Sequence, residues 1–411
     1  MKNSEIEWKG FLRKDGSMGI RNIILVVFTV ECAQHVAQRI IAGEKDCHLI
    51  GFPGCKDNEY ATRLLISLSQ HPNVGAALFV GLGCEYTQPD RLCEMVKKSG
   101  RPSYWFLIQE EGGTEKSIRK GKEIVEKMRK EINKTTSKIS MGFEDLVIGC
   151  ACGGSDATSG LAGNPLAGIF IDRLVDSGGR AVFEEIVELV GLLPLLQDRA
   201  ATADVREELT ALYHKMELYC KNVRHYSIAP GNYAGGLSTI EEKSLGALAK
   251  SGSRPIKGVI KVSEKPPEPG LWLMDTVPDD YYMQFGYTDP NDSEGLMNLL
   301  SSGAQIILFV TGRGSVIGCP ISPVIKITGN SYTFQIMEGD MDINAGKILS
   351  GESNFKEVVE ELQNFVVRVC KGEKTKSEIL GHREFYIPYK YQALNRQNGQ
   401  CLVLGTIGEV T

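Results

Sequence analysis

The stretch Thr311-Gly312-Arg313-Gly314-Ser315-Val316-Ile317-Gly318-Cys319-Pro320-Ile321-Ser322-Pro323-Val324-Ile325-Lys326 decides how this chain is read. It follows an apolar run, Gln305 to Val310, that reads as a buried strand. Three glycines, Arg313 and Lys326 are expected just beyond the carboxyl end of that strand. In open α/β sheets, ligands bind at that end. Glycines let backbone N–H groups approach a ligand, and a fixed guanidinium grips a carboxylate or phosphate at two points. A second such stretch, Cys152-Gly153-Gly154-Ser155-Asp156, follows the strand-like Leu146-Val147-Ile148. Either stretch alone is equally a tight turn. Together they suggest a site for a small anionic molecule.

Working outward, the first third alternates strands and helices. Ile23 to Val30 reads as a strand and Cys32 to Ile41 as a helix. Ala76 to Val80 reads as a strand ending in Gly81-Leu82-Gly83-Cys84-Glu85, and Tyr104 to Ile108 as one ending in Gln109 to Thr114. A charged helix follows from Glu115 to about Asn133, then a polar linker from Lys134 to Lys138. Strand, glycine loop and helix in repetition predict a Rossmann-like, doubly wound parallel sheet. The predicted architecture is an α/β domain over residues 1–138, followed by a second α/β domain over 139–411. In the second domain, helices are predicted at Asn164 to Ser177, within Leu192 to Cys220, at Glu294 to Ser301 and at Phe355 to Lys371. Ala181 to Ile186 and Leu271 to Met274 read as strands, and Pro230 to Gly236 as a turn-rich loop. Thr239, with Glu242 three residues on, predicts the start of a helix running to Lys250.

Composition bounds the function. The chain has 411 residues, 42% hydrophobic and 24% charged, enough for two or three domains with real cores. A net charge of -5 argues against a broad nucleic-acid surface. The polar, charged Met1 to Lys9 is no signal peptide, and Ile23 to Val30 is too short to span a bilayer. The expected location is the cytoplasm. The 11 cysteines are scattered, and most are expected to be reduced, buried thiols. His35, His48, His71, His214, His225 and His382 form no H-x-x-x-H or H-E-x-x-H motif, so nothing points to a zinc protease. Thr29 to Ala33 lacks glycine, which argues against a dinucleotide-dependent oxidoreductase.

Six motifs in order resemble the altronate and galactarate dehydratase family, whose relatives include the large subunit of sulfolactate sulfo-lyase. They are Gly10 to Gly16 with Gly19, Arg21 and Asn22; Gly83-Cys84-Glu85 with Gln88, leading to Gln109 to Thr114; and Cys152 to Asp156 with Asn164-Pro165. Pro230 to Gly236 with Glu242-Lys243-Ser244, Thr311 to Gly314, and Met341 to Gly346 complete the set. Glu185 and Glu188 match acidic positions of the family, with Val187 where a proline is usual. Gly51 to Asp57 lacks the histidine usual near the family's first motif cysteine. The resemblance implies elimination of water from a sugar acid such as altronate or galactarate, or of sulfite from sulfolactate. Family dehydratases carry a small β-rich, SAF-like domain with histidines before the large region. That pattern implies a separate small SAF-domain subunit for this chain, and an oligomer.

Elimination removes a weakly acidic proton next to a carboxylate, so an enolate-like intermediate needs electrostatic support. The resemblance implies iron(II), manganese(II) or an iron–sulfur cluster for that purpose. Cys55, Cys84 and Cys152 are the candidate thiolate ligands, and Glu85, Asp156 and Glu111 the oxygen alternatives. Each of these residues is equally readable as a buried thiol, a solvated acid or a helix cap. Arg313 is the candidate clamp for the substrate carboxylate, on a loop with Gly312 and Gly314, or else a surface ion pair. Lys243 and Lys326, with Glu242 beside the former, are candidates for acid–base work or charge stabilisation. Asn232, Asn344 and Ser155 are candidates for contacts to substrate hydroxyls, with Asp342 orienting its neighbours. A non-catalytic homologue that binds small acids is the competing expectation. Cys84, Glu85, Cys152, Asp156 and Arg313 argue against it, because a silent copy need not keep reactive side chains.

Overall fold

The computed structural model describes residues 6–56, 58–223, 226–279 and 291–394. Asp57 and His225 lie outside them. The described chain divides into two units, one of residues 11–138 and 386–394, the other of residues 6–10 and 139–385.

The first unit is built on four parallel strands in the order Cys47–Gly51, Ile23–Phe28, Val74–Gly81, Ser103–Leu107. Ile23–Phe28 and Val74–Gly81 are buried at every residue. A parallel strand covered on both faces needs such a continuous apolar run. Helix Thr114–Thr135 buries Ile118, Gly121, Val125, Met128 and Ile132, a stripe at helical spacing. That helix continues through Thr135, and Ser137–Met141 is a strand, so the predicted linker is taken up by regular structure. Its polar residues misled because Ser137 and Lys138 occupy exposed strand positions.

The first family motif serves this unit structurally. Phe11 pairs with Gly19 and Leu12 with Met18 in an antiparallel turn. Arg13 is buried and donates to the Pro72 carbonyl at 2.8 Å, Asn22 Oδ1 at 2.6 Å and the Arg21 carbonyl at 2.8 Å. Burial, then the neighbouring Arg101 charge, pulls its guanidinium down to about 9. A side chain on Gly19 would collide with the Pro72 backbone.

The second unit holds seven parallel strands in the order Ile256–Lys261, Gly270–Asp275, Arg180–Phe183, Val147–Cys152, Ile306–Thr311, Val324–Thr328, Ile343–Asn344. In chain order the sheet grows from Val147–Cys152 to one side, then reverses at Ile306–Thr311 to the other. The reversal leaves a crevice at the carboxyl ends of those two strands, the usual place for a ligand in such sheets. Both glycine loops singled out in the sequence leave from there.

One expectation is corrected here. Lys326 is not in the loop beyond the strand; it lies within strand Val324–Thr328, opposite Phe309. The quoted stretch therefore joins two adjacent strands. Pro320 and Pro323 hid the second one, because the strand begins immediately after Pro323. No helix among the described residues is long and apolar enough to cross a membrane.

Candidate active site

The two loops lock together through their backbones. Gly153 N donates to the Val310 carbonyl at 3.0 Å, and the Gly154 carbonyl accepts from Gly312 N at 3.2 Å and Arg313 N at 2.9 Å. Gly154 adopts the left-handed φ of 59°. At Gly312 the approach is so close that a Cβ would overlap the Asp156 carboxylate. That carboxylate is itself held. Oδ1 accepts from Thr158 N at 2.9 Å, Thr158 Oγ1 at 2.6 Å and Ser159 N at 3.1 Å, and Oδ2 accepts from Asn330 Nδ2 at 3.1 Å. Asp156 thus acts as an N-cap for the helical turns that follow the loop. Asn232 fixes the loop from outside, donating to the Ser155 carbonyl at 2.9 Å while its Oδ1 accepts from Ala229 N at 2.8 Å.

At the start of this loop, Cys152 stands in a buried ionic cluster. Glu185 and Glu188 follow strand Arg180–Phe183, and Lys243 and Lys250 come from helix Ile240–Ala249 and its C-cap. The Glu185 carboxylate accepts from Cys152 N at 3.1 and 2.9 Å. The Cys152 thiol donates to Glu188 Oε2 at 3.0 Å. Lys250 Nζ donates to Cys152 Sγ at 3.1 Å, to Glu188 Oε2 at 3.3 Å and to Glu185 Oε2. Lys243 Nζ pairs with Glu188 Oε1 at 2.8 Å and donates to the Ser227 carbonyl.

Burial shapes every charge in the cluster. It pushes the Cys152 thiol well above its ordinary value, helped by Glu185 and Glu188. It also raises the Glu185 carboxyl, with the neighbouring Glu188 charge, to about 7. At Glu188 burial works the same way but is outweighed by Lys243 and Lys250, which hold the carboxyl down at about 2. Burial disfavours the charged Lys250, yet Cys152 and the two carboxylates together raise it well above the usual lysine value. One sulfur and two carboxylate oxygens, from Cys152, Glu185 and Glu188, lie within 4.8 Å of one another and form a possible metal triad.

The sequence candidates fall in several places. Cys152 and Lys243 are in the cluster. Arg313 is exposed on its loop, and its guanidinium has no partner among the described residues. Gly312, Gly314, Ser155, Asp156 and Asn232 build the loops around it. Lys326 is buried and reaches the Ser315 carbonyl at 3.1 Å; burial lowers its pKa. Glu242 is exposed at the helix start, where its carboxylate accepts from Ser238 N at 2.8 Å and Thr239 Oγ1 accepts from Glu242 N. Asn344 Oδ1 accepts from Gly346 N at 2.9 Å, and Asp342 Oδ2 from Lys326 N at 2.9 Å, so the last motif pins the sheet's edge.

Cys55, Cys84 and Glu85 belong to the other unit. Both cysteines are exposed. The Glu85 carboxylate accepts from Thr29 Oγ1 at 2.7 Å, Leu82 N at 3.0 Å and Gly83 N at 2.7 Å, folding back on its own loop. Glu111 in that unit pairs with Lys120. Sequence reasoning missed Lys250 and left Glu185 and Glu188 out of the site. The signal for Lys250 was its seven-residue spacing from Lys243, which places both lysines on one helix face.

Comparison with known proteins now bears on this geometry. A family model for the C-terminal region of D-galactarate/altronate dehydratase matches residues 143–393, and one for the second domain of D-galactarate dehydratase/altronate hydrolase matches residues 10–133. The (2R)-sulfolactate sulfo-lyase subunit beta of Chromohalobacter salexigens is 30% identical over 398 residues, 93% of this chain and 97% of that protein. The altronate dehydratase of Bacillus subtilis is 29% identical over 409 residues, 94% of this chain and 78% of that protein. The galactarate dehydratase (L-threo-forming) of Escherichia coli is 29% identical over 395 residues, 89% of this chain and 73% of that protein. With both units matched in order, the chain belongs to the D-galactarate/altronate dehydratase family.

Proposed function

We propose that this chain is a lyase that eliminates water from a sugar acid, of the altronate or galactarate kind, to give a 2-keto-3-deoxy acid. The observation that carries the reading is the buried Cys152–Glu185–Glu188–Lys250 cluster on the same loop system as Arg313, whose guanidinium has no partner among the described residues. Arg313 grips the substrate carboxylate. Glu185, its pKa near neutrality, takes the proton from the carbon next to that carboxylate. Lys243 supplies positive charge against the enolate as it forms. The bond from the β-carbon to its hydroxyl breaks, and the hydroxyl takes up a proton to leave as water. The remaining enol takes a proton at that β-carbon and becomes the 2-keto acid.

The triad's donor chemistry fits a single divalent ion better than a cluster, since Cys152 is the only cysteine in it. Cys152, Glu185 and Glu188 would hold the ion through one atom each, which leaves the second Glu185 oxygen for the proton, and the sulfur favours iron(II) over manganese(II). Such an ion, when bound, polarises a carboxylate or hydroxyl as a Lewis acid.

A second reading is sulfite release from sulfolactate. It draws support from the resemblance to the (2R)-sulfolactate sulfo-lyase subunit beta, 30% identical over 398 residues. That relative is named as a subunit, which supports a partner subunit for this chain as well. A panel of aldonic, aldaric and sulfonated hydroxy acids, read for 2-oxo acid and free sulfite, tests both readings. Release of 2-oxo acid without sulfite supports the first, and release of both supports the second. Silence across the panel, with the small partner present, contradicts both.

A further inference from the structure

Lys250 reaches every donor of the candidate metal triad. Its Nζ touches the three groups of the triad at once: Cys152 Sγ at 3.1 Å, Glu188 Oε2 at 3.3 Å and Glu185 Oε2. The lysine side chain is 2% exposed and the Glu188 side chain 7%, so water does little to screen these contacts. Glu188 Oε1 also pairs with Lys243 Nζ at 2.8 Å. A divalent ion on the same three donors would stand within contact distance of the ammonium. Two such cations repel strongly in a buried setting, and they cannot share one set of lone pairs.

We infer that Lys250 is the built-in cation of this site and competes with a divalent metal for Cys152, Glu185 and Glu188. The inference rests on the metal reading given under Proposed function. In the closed state the ammonium keeps the two carboxylates and the thiol assembled. Metal entry requires the Lys250 side chain to swing out and the Cys152 thiol to give its proton to solvent, forming one metal–sulfur bond and two metal–oxygen bonds. The competition selects among metals as well. An ion must gain enough from sulfur ligation to displace an ammonium that already holds three contacts. Iron(II), cobalt(II) and zinc(II) do so more readily than magnesium(II), which prefers oxygen and water.

Cobalt(II) titration followed by absorption tests this, because sulfur-to-cobalt charge transfer reports thiolate ligation without any turnover. Lys250→Met keeps most of the length of the side chain and removes its charge. Cobalt(II) is expected to bind this variant at least about tenfold more tightly than the wild type. Cys152→Ser should abolish the charge-transfer band in both backgrounds. Equal affinity in wild type and Lys250→Met overturns the competition and leaves the metal reading standing. No thiolate band in either protein overturns both.

A measurement on the unaltered chain guards against a variant that fails to fold. Native acylation with an amine-reactive ester, read by peptide mass spectrometry, should modify Lys250 faster once cobalt(II) saturates the site, while surface lysines stay unchanged. Unchanged Lys250 labelling under cobalt(II) that visibly ligates sulfur overturns the inference.

Discussion

Arg313 carries the recognition side of this account, and its surroundings say why it is free to do so. Its backbone N–H is tied to Gly154, while its guanidinium makes no hydrogen bond or ion pair among the described residues. Arg313→Lys keeps the charge and loses the two-point grip. It should lower kcat/KM about tenfold to a hundredfold, roughly 1.4–2.7 kcal/mol of transition-state stabilisation. Steady-state kinetics with the acid substrate checks this, and unchanged kinetics in a folded variant would make Arg313 structural. Legibility at this scale was uneven. Arg313, Cys152 and Lys243 could be picked from the sequence because glycine loops and a capped helix frame them. Asp156, Glu85 and Asn232 stood in equally dense motifs, yet their polar atoms are spent on neighbouring backbone. Sequence shows that a polar residue sits in a turn, not whether the turn has already taken its lone pairs.

Helices and strands were legible where local chemistry decides them. Thr239 caps its helix as expected, accepting from Glu242 N at 3.2 Å. Phe355–Cys370 forms as the amphipathic pattern requires, with Asn354 and Glu357 closing a capping box. Strand Val324–Thr328 was missed because a proline pair breaks the pattern before it. The ionic cluster was mostly illegible, since it is assembled from a strand end, a 3₁₀ turn and a helix C-terminus far apart in sequence.

The motif turn at Asp15 offers a test of how such elements are held. Asp15 Oδ2 pairs with Arg101 at 2.6 Å, and its Oδ1 accepts from Ser17 N at 3.0 Å. Burial works against the carboxylate, but Arg101 and Ser17 outweigh it and hold its pKa below the ordinary value. The folded pKa is the lower one, so the contribution is full above the unfolded pKa and is lost as pH falls through the folded value. Asp15→Asn should cost about 2 kcal/mol near neutrality, because the buried Arg101 loses its only carboxylate partner among the described residues. The deficit should shrink as the medium is acidified below the usual aspartate range. Denaturant melts of both proteins at several pH values check this, and a deficit independent of pH would contradict it.

At the scale of the whole molecule, the two parallel sheets were foreseeable from alternation alone, while the ionic cluster needed coordinates. The proposed small partner belongs to this scale too. Affinity purification of the tagged chain from its native cell should recover a small companion, and adding that companion to chain made in a foreign host should raise turnover. Equal turnover with and without it would contradict a split enzyme.

The central claim is elimination followed by ketonisation, and one measurement addresses it directly. The reaction is run in deuterium oxide with the acid that proves active, and the fresh 2-keto product is weighed by mass spectrometry. The account predicts one deuterium on the carbon that lost its leaving group, and loss of product formation in Glu185→Gln. Product without deuterium at that carbon, or undiminished product from Glu185→Gln, would contradict it.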